Sequence, residues 1–275
     1  MKKYSEKRKM GIGGGRREKK RSVRKTAHII VIIVMATAAP AIAAIMLQPY
    51  FRQRNINPPN INQTQTPKKT AIIDSIGLTR PNPEFIEEAK RILSEAGLSV
   101  DIYEGEKVTI NLLRRISGYE LLIFRTHSAV AQSDGYLYIF SAERYNRSGY
   151  KIEQLEGIVR EARPFIEGEG PYFALRADQL GGQGGLEETI IILMGCNGTN
   201  SQKTIKTLLI KGAKAIIAWN GYVDLNYTDK ITLNLIKAVY AEAVSYPEAV
   251  KKLMEQHGPD PIYKSKLEYT AQPSA

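Results

Sequence analysis

Two side chains in this sequence are scarce enough, and placed well enough, to carry chemistry. Cys196 is the only cysteine among 275 residues, and His127 is one of three histidines, with His28 and His257. Each follows a continuous apolar run: YELLIFR (119–125) leads to His127, and TIIILMG (189–195) leads to Cys196. A thiol attacks as the thiolate, and its ordinary pKa of about 8.5 leaves little of that form at neutral pH. It therefore needs a base, and imidazole is the natural one. Gly195 and Gly198 flank Cys196 closely, which lets backbone amides crowd toward a reacting carbonyl. The amides of Cys196 and of Ser128, the residue after His127, are the candidate oxyanion donors. Each residue also has a plain reading. A lone cysteine after a strand is commonly a small buried hydrophobe, and a loop histidine is commonly solvated. No carboxylate is marked out as a partner for His127, so the pair reads as a dyad. One cysteine makes neither an internal disulfide nor a cysteine-rich zinc site, and the reading calls for no metal and no cofactor.

The elements that must position this pair alternate from residue 70 onward. Apolar runs at 71–75, 98–103, 119–125, 189–195 and 213–219 read as buried strands. Between and after them, 82–96, 109–117, 202–211, 228–246 and 247–257 have apolar residues at helical spacing, as with Phe85, Ile86, Ala89, Ile92 and Leu93. Gly97 and Gly212 close two of these helices, and His257-Gly258 reads as another helix stop. Alternating strands and helices with continuous apolar strands imply an α/β fold, a mostly parallel sheet with helices on both faces. In such a sheet ligands bind beyond the carboxyl ends of the strands, where His127 and Cys196 lie. About sixty residues separate the third and fourth strands. They hold strand-like 136–140 and 172–175 and the glycine-rich 181–185, and they read as an insertion bearing a hairpin.

The charge is confined to the N-terminus. Residues 1–28 contain twelve Lys/Arg against Glu6 and Glu18, so they carry ten of the eleven net positive charges. The remainder is nearly neutral and has no bulk reason to bind nucleic acid. Residues 29–47, IIVIIVMATAAPAIAAIML, have no charge. As a helix they would extend about 28 Å, close to the hydrocarbon thickness of a bilayer. The expectation is a basic cytoplasmic tail (1–28), a transmembrane anchor (29–47), a polar Asn/Gln/Pro linker (48–69), a folded domain (70–257) held outside the membrane by the positive-inside rule, and a C-terminal tail (258–275). A cleaved signal peptide is the rival reading of the apolar run. Sequons at Asn62, Asn146, Asn197 and Asn226 fit an outside location, with Asn62 the best acceptor.

ELLIFRTHS (120–128) and TIIILMGCNG (189–198) resemble the two signature strands of the caspase-like superfamily of cysteine peptidases, one ending in His and the other in Cys. That group includes caspases, gingipains, legumains, separases and CHAT domains. Met194-Gly195-Cys196 is similar to separase-type sequences, and 207–236, TLLIKGAKAIIAWNGYVDLNYTDKITLNLI, is similar to the segment after the cysteine in CHAT-like proteins. The resemblance covers roughly 70–245 and implies a three-layer α/β/α sandwich, His127 as base, Cys196 as nucleophile and a peptide or protein as substrate. The family usually has glycine after the histidine, where this chain has Ser128. In this superfamily a charged pocket residue often selects the side chain before the cut. Asp178 and Asp224 would favour Lys or Arg there, Arg176 would favour an acid, and each also reads as a plain surface charge. Trp219, the only tryptophan, either lines that pocket or packs in the core.

Other chemistries fit less well. A cysteine phosphatase needs Arg six positions after the cysteine, and that position is Gln202. GIGGG (11–15) follows no strand and makes no nucleotide loop. A periplasmic-type binding protein would need a second lobe. The competing class is an inactive caspase-like domain serving as an extracytoplasmic binding or adaptor module.

Overall fold

The computed structural model describes residues 68–272, except 167, 183 and 184. The basic tail, the proposed anchor and nearly all of the linker lie outside the described residues. Among the described residues no helix is long and apolar enough to cross a membrane.

Six strands form the central sheet: β1 (Lys69–Asp74), β2 (Ser99–Glu104), β3 (Leu121–Arg125), β8 (Ile190–Leu193), β9 (Ala215–Trp219) and β10 (Leu267–Ala271), in the order β10-β9-β8-β3-β1-β2. All pairings are parallel except β9 with β10. The mostly parallel α/β sheet expected from the sequence is therefore present. The strands read as continuous apolar runs because both faces are covered, and alternate residues divide between two cores. Ile72, Leu121, Ile123, Ile192 and Ile217 face a core closed by three helices, α1 (Pro83–Glu95), α5 (Leu225–Tyr240) and α6 (Tyr246–His257). Ile73, Leu122, Phe124, Ile191 and Ile216 face the other core.

That second face departs from the expected layer of helices. Two short helices, α2 (Ile110–Arg115) and α4 (Gln202–Ile210), share it with a second sheet. The insertion between β3 and β8 builds this antiparallel sheet from β4 (Ser128–Val130), β5 (Leu137–Arg144), β6 (Val159–Ala162) and β7 (Tyr172–Arg176), with α3 (Lys151–Leu155) between β5 and β6. Leu137, Ile139, Phe173 and Leu175 pack inward from it. Only β5 and β7 were legible as strands; β4 and β6 are three and four residues long.

Two boundaries also move. The domain continues past residue 257, because β10 pairs residue for residue with β9, Leu267 opposite Trp219 through Ala271 opposite Ala215. Helix α5 starts at Leu225 rather than Thr228 because Asp224 caps it, its carboxylate accepting from the Tyr227 amide at 3.0 Å. It stops at Tyr240, and α6 begins afresh with Pro247 in its first turn. Gly258, at φ 76°, ends α6 as the sequence implied.

Candidate active site

Strands β3 and β8 are parallel neighbours, so the segments leaving their carboxyl ends emerge side by side. His127 and Cys196 line the same cavity there, about 390 Å³ in volume. Bonds beyond the ladder lock the two exits together. The Met194 amide donates to the Phe124 carbonyl at 3.0 Å, and the Ser128 hydroxyl donates to the Cys196 carbonyl at 2.6 Å. Gly195 allows this close passage: a Cβ there would stand 2.5 Å from the Thr126 carbonyl oxygen and would overlap the Ser128 hydroxyl. Gly198 is needed likewise, since a Cβ would overlap that of Ala218.

Gly195 and Cys196 line the cavity and Ser128 does not. The Ser128 side chain is buried and turned onto the Cys196 backbone. The Phe140 amide donates to the His127 carbonyl at 2.9 Å, so the alternation of an antiparallel ladder directs the Ser128 N–H away from β5. The Cys196 amide donates to no acceptor among the described residues.

His127 is three-quarters buried, its side chain 25% exposed, with the Phe140 ring edge-on at 5.9 Å. Its Nε2 faces Glu169 Oε2 at 3.7 Å, and neither atom has a hydrogen-bond partner among the described residues. The other Glu169 oxygen pairs with Arg80 at 3.2 Å. The sequence marked out no carboxylate for His127; in the fold Glu169 stands beside its Nε2 without a hydrogen bond between them. Burial pulls the His127 pKa below its ordinary value; Glu169 opposes that shift, while Arg80 and Arg125 add to it. That direction favours the neutral imidazole, the form able to accept a proton. Burial pushes the Cys196 thiol up, with Asp260 adding to the shift and the nearby Val223 amide opposing it. Both directions favour the uncharged forms, a thiol and a neutral imidazole, over a thiolate–imidazolium pair.

A buried ion cluster underlies this site. Arg125 ends β3 beside Asp74, the last residue of β1. Its Nη1 donates to both Asp74 oxygens at 3.1 and 3.0 Å, and its Nε and Nη2 donate to the two Asp229 oxygens at 2.9 and 3.0 Å. Asn82 Nδ2 also donates to Asp229, at 2.8 Å, while its Oδ1 caps α1. Arg125 is 1% exposed. Burial lifts the Asp74 pKa to about 6 against the pull of Arg125 and the Ile76 amide, with Glu104 adding to the rise.

The other proposed site residues separate clearly. Trp219 does not line the cavity: it is fully buried, and its Nε1 donates to Thr228 Oγ1 at 2.9 Å, which in turn donates to the Met194 carbonyl. Asp178 does not line it either, and pairs with Arg176 at 2.7 Å. Asp224 lines the cavity, with its carboxylate engaged in the α5 cap. Asp260, in the segment first read as a tail, is fully buried and accepts the amides of Asp224, Ile262 and Tyr263. No group of three or more His, Cys, Asp or Glu side chains gathers to hold a metal ion among the described residues. In comparisons with known proteins, the chain matches no family model and no curated protein.

Proposed function

We propose that this chain is a membrane-anchored cysteine peptidase of the caspase-like type, with Cys196 as nucleophile and His127 as base. The observation that carries the reading is the placement of the only cysteine and of His127 beyond the ends of adjacent parallel strands, on one cavity. Because Nε2 faces Glu169, Nδ1 is the nitrogen left to take the thiol proton. Proton transfer then accompanies substrate binding. The sulfur attacks the peptide carbonyl, the Cys196 amide stabilises the developing oxyanion, and the imidazolium returns its proton to the leaving amine. Water, deprotonated by His127, then hydrolyses the thioester. Glu169 supports the imidazolium while it exists. The caspase-like layering is read from β3 and β8 with their terminal His and Cys and from the layers on either side of the sheet. The anchor, and the placing of the domain outside the cytoplasmic membrane, rest on the charge pattern of residues 1–47.

The test is labelling of the full chain with an electrophilic peptide, wild type against Cys196→Ala and His127→Ala. Labelling should vanish without the thiol and fall steeply near pH 7 without the imidazole. Equal labelling of wild type and His127→Ala at every pH would remove the peptidase reading. The raised thiol favours the second reading, an inactive binding or adaptor domain, which that result would leave standing.

A further inference from the structure

The cavity beside Cys196 has a chemical character of its own. Three separate loops each bring one aromatic ring to it: Phe165 between β6 and β7, Tyr222 after β9, and Tyr263 between α6 and β10. The rings form a chain, Phe165 to Tyr222 at 5.9 Å and 75°, Tyr222 to Tyr263 at 6.0 Å and 52°. These are the edge and tilted geometries that aromatic rings prefer. The three rings remain 91%, 47% and 54% exposed. Single exposed rings are ordinary, whereas a contiguous exposed set rimming a cavity marks a binding surface. Ile76, Ile166 and Val223 extend the apolar wall.

The charges at this cavity are already engaged. Arg80 pairs with Glu169, and the Asp224 carboxylate caps α5. Among the described residues, no carboxylate or guanidinium lining the cavity is left without a partner. A charged side chain entering it would lose its water and would have to draw Asp224 from its helix cap or Arg80 from Glu169 to gain a counterion, a cost an uncharged ring does not meet. The volume of about 390 Å³ falls within the range of small-ligand pockets.

We propose that this cavity takes a large uncharged side chain, aromatic before aliphatic, from a peptide whose adjoining carbonyl lies at Cys196, and that Phe165, Tyr222 and Tyr263 determine the preference. The carbonyl's position rests on the peptidase reading; the preference does not. Asp178 and Arg176 lie outside the cavity, and Asp224, the remaining candidate for a charge preference, is held in the α5 cap.

The experiment uses the full chain in detergent and peptidyl acyloxymethyl ketones carrying Phe, Leu, Gly, Asp or Arg beside the reactive carbon, with Cys196 modification followed by intact mass. The Phe reagent should react fastest, at least about tenfold above Gly, Asp and Arg. In a Phe165→Ala/Tyr222→Ala variant the Phe-to-Gly rate ratio should fall by about tenfold. A second arm measures binding of unreactive acetylated Phe, Asp and Arg peptide amides to Cys196→Ala by NMR. Faster labelling by the Asp or Arg reagent, or an unchanged ratio in the variant, overturns the pocket assignment and leaves the peptidase standing. No labelling by any reagent, with selective binding of the Phe amide, overturns the peptidase and keeps the pocket. Neither labelling nor binding overturns both.

Discussion

Two basic side chains leave the end of β3 within three residues of each other, and each meets carboxylates in opposite fashion. Arg125 is closed in, with four hydrogen bonds to two aspartates and almost no exposure. His127 stands open to a cavity, 3.7 Å from a glutamate it does not quite touch. The first arrangement fixes where β1, β3 and α5 sit relative to one another. The second leaves an imidazole without a hydrogen-bond partner among the described residues, with a carboxylate beside it. A saturated ion cluster specifies geometry, and an unsaturated pair beside it is where a proton can be moved.

The comparison breaks first at Arg125. Arg125→Met should destabilise the domain by about 3–5 kcal/mol, because two buried carboxylates lose the guanidinium that pairs with them. Chemical denaturation would show it, and a loss under about 1 kcal/mol would mean that the cluster does not hold the strand ends. Glu169→Gln should leave the melting temperature nearly unchanged. It removes the group that raises the His127 pKa against burial, so the acid limb of the pH–rate profile should move to lower pH. The maximal rate of peptide-probe labelling should fall by about tenfold, part of the about 10²–10⁴-fold that general acid–base help supplies. An unmoved acid limb would make Glu169 merely a partner of Arg80.

Asp74 sharpens the contrast through pH. Its folded pKa is raised from 3.8 to about 6, so its contribution to stability is fully present below about pH 4 and is lost as pH rises through 6. Asp74→Asn cannot titrate. Urea midpoints of wild type minus variant should therefore decline with rising pH across that window, and a flat difference would contradict the raised value. The smallest effect belongs to Ser128→Ala, which loses one hydrogen bond to the Cys196 carbonyl. About 1 kcal/mol of stability should go, with peptide-probe labelling retained. If labelling collapsed, the hydroxyl would be acting on substrate, contrary to its position outside the cavity.

What the sequence displayed and what it hid follow from one distinction. His127 and Cys196 were legible because rare, reactive residue types ended long apolar runs, and those runs were long because both sheet faces are covered. Glu169 was hidden in a Gly- and Pro-containing loop, where composition says only that the chain turns and nothing of which strand end it reaches. Arg125 stood in plain view at the end of a buried strand. A buried arginine demands partners, yet Asp74 and Asp229 lie 51 and 104 residues away, and only the sheet order brings them together. Strand β10 was missed because LEYTA is short and half polar, as an edge strand is. Trp219 stayed open between pocket and core until its indole N–H was found bonded to Thr228 inside the fold.

Asn82 carries a consequence for how this sequence can drift. Its amide oxygen caps α1 while its amide nitrogen donates to Asp229, so one side chain serves as acceptor and donor at once. As helix caps, Asn, Asp and Ser are nearly interchangeable, and a substitution table would allow all three here. The cluster does not. Aspartate would set a third carboxylate against Asp229, and serine is too short to reach both partners. Positions 82 and 229 should therefore vary together among relatives of this chain, with Asn82 retained wherever Asp229 is kept, although neither residue touches the cavity.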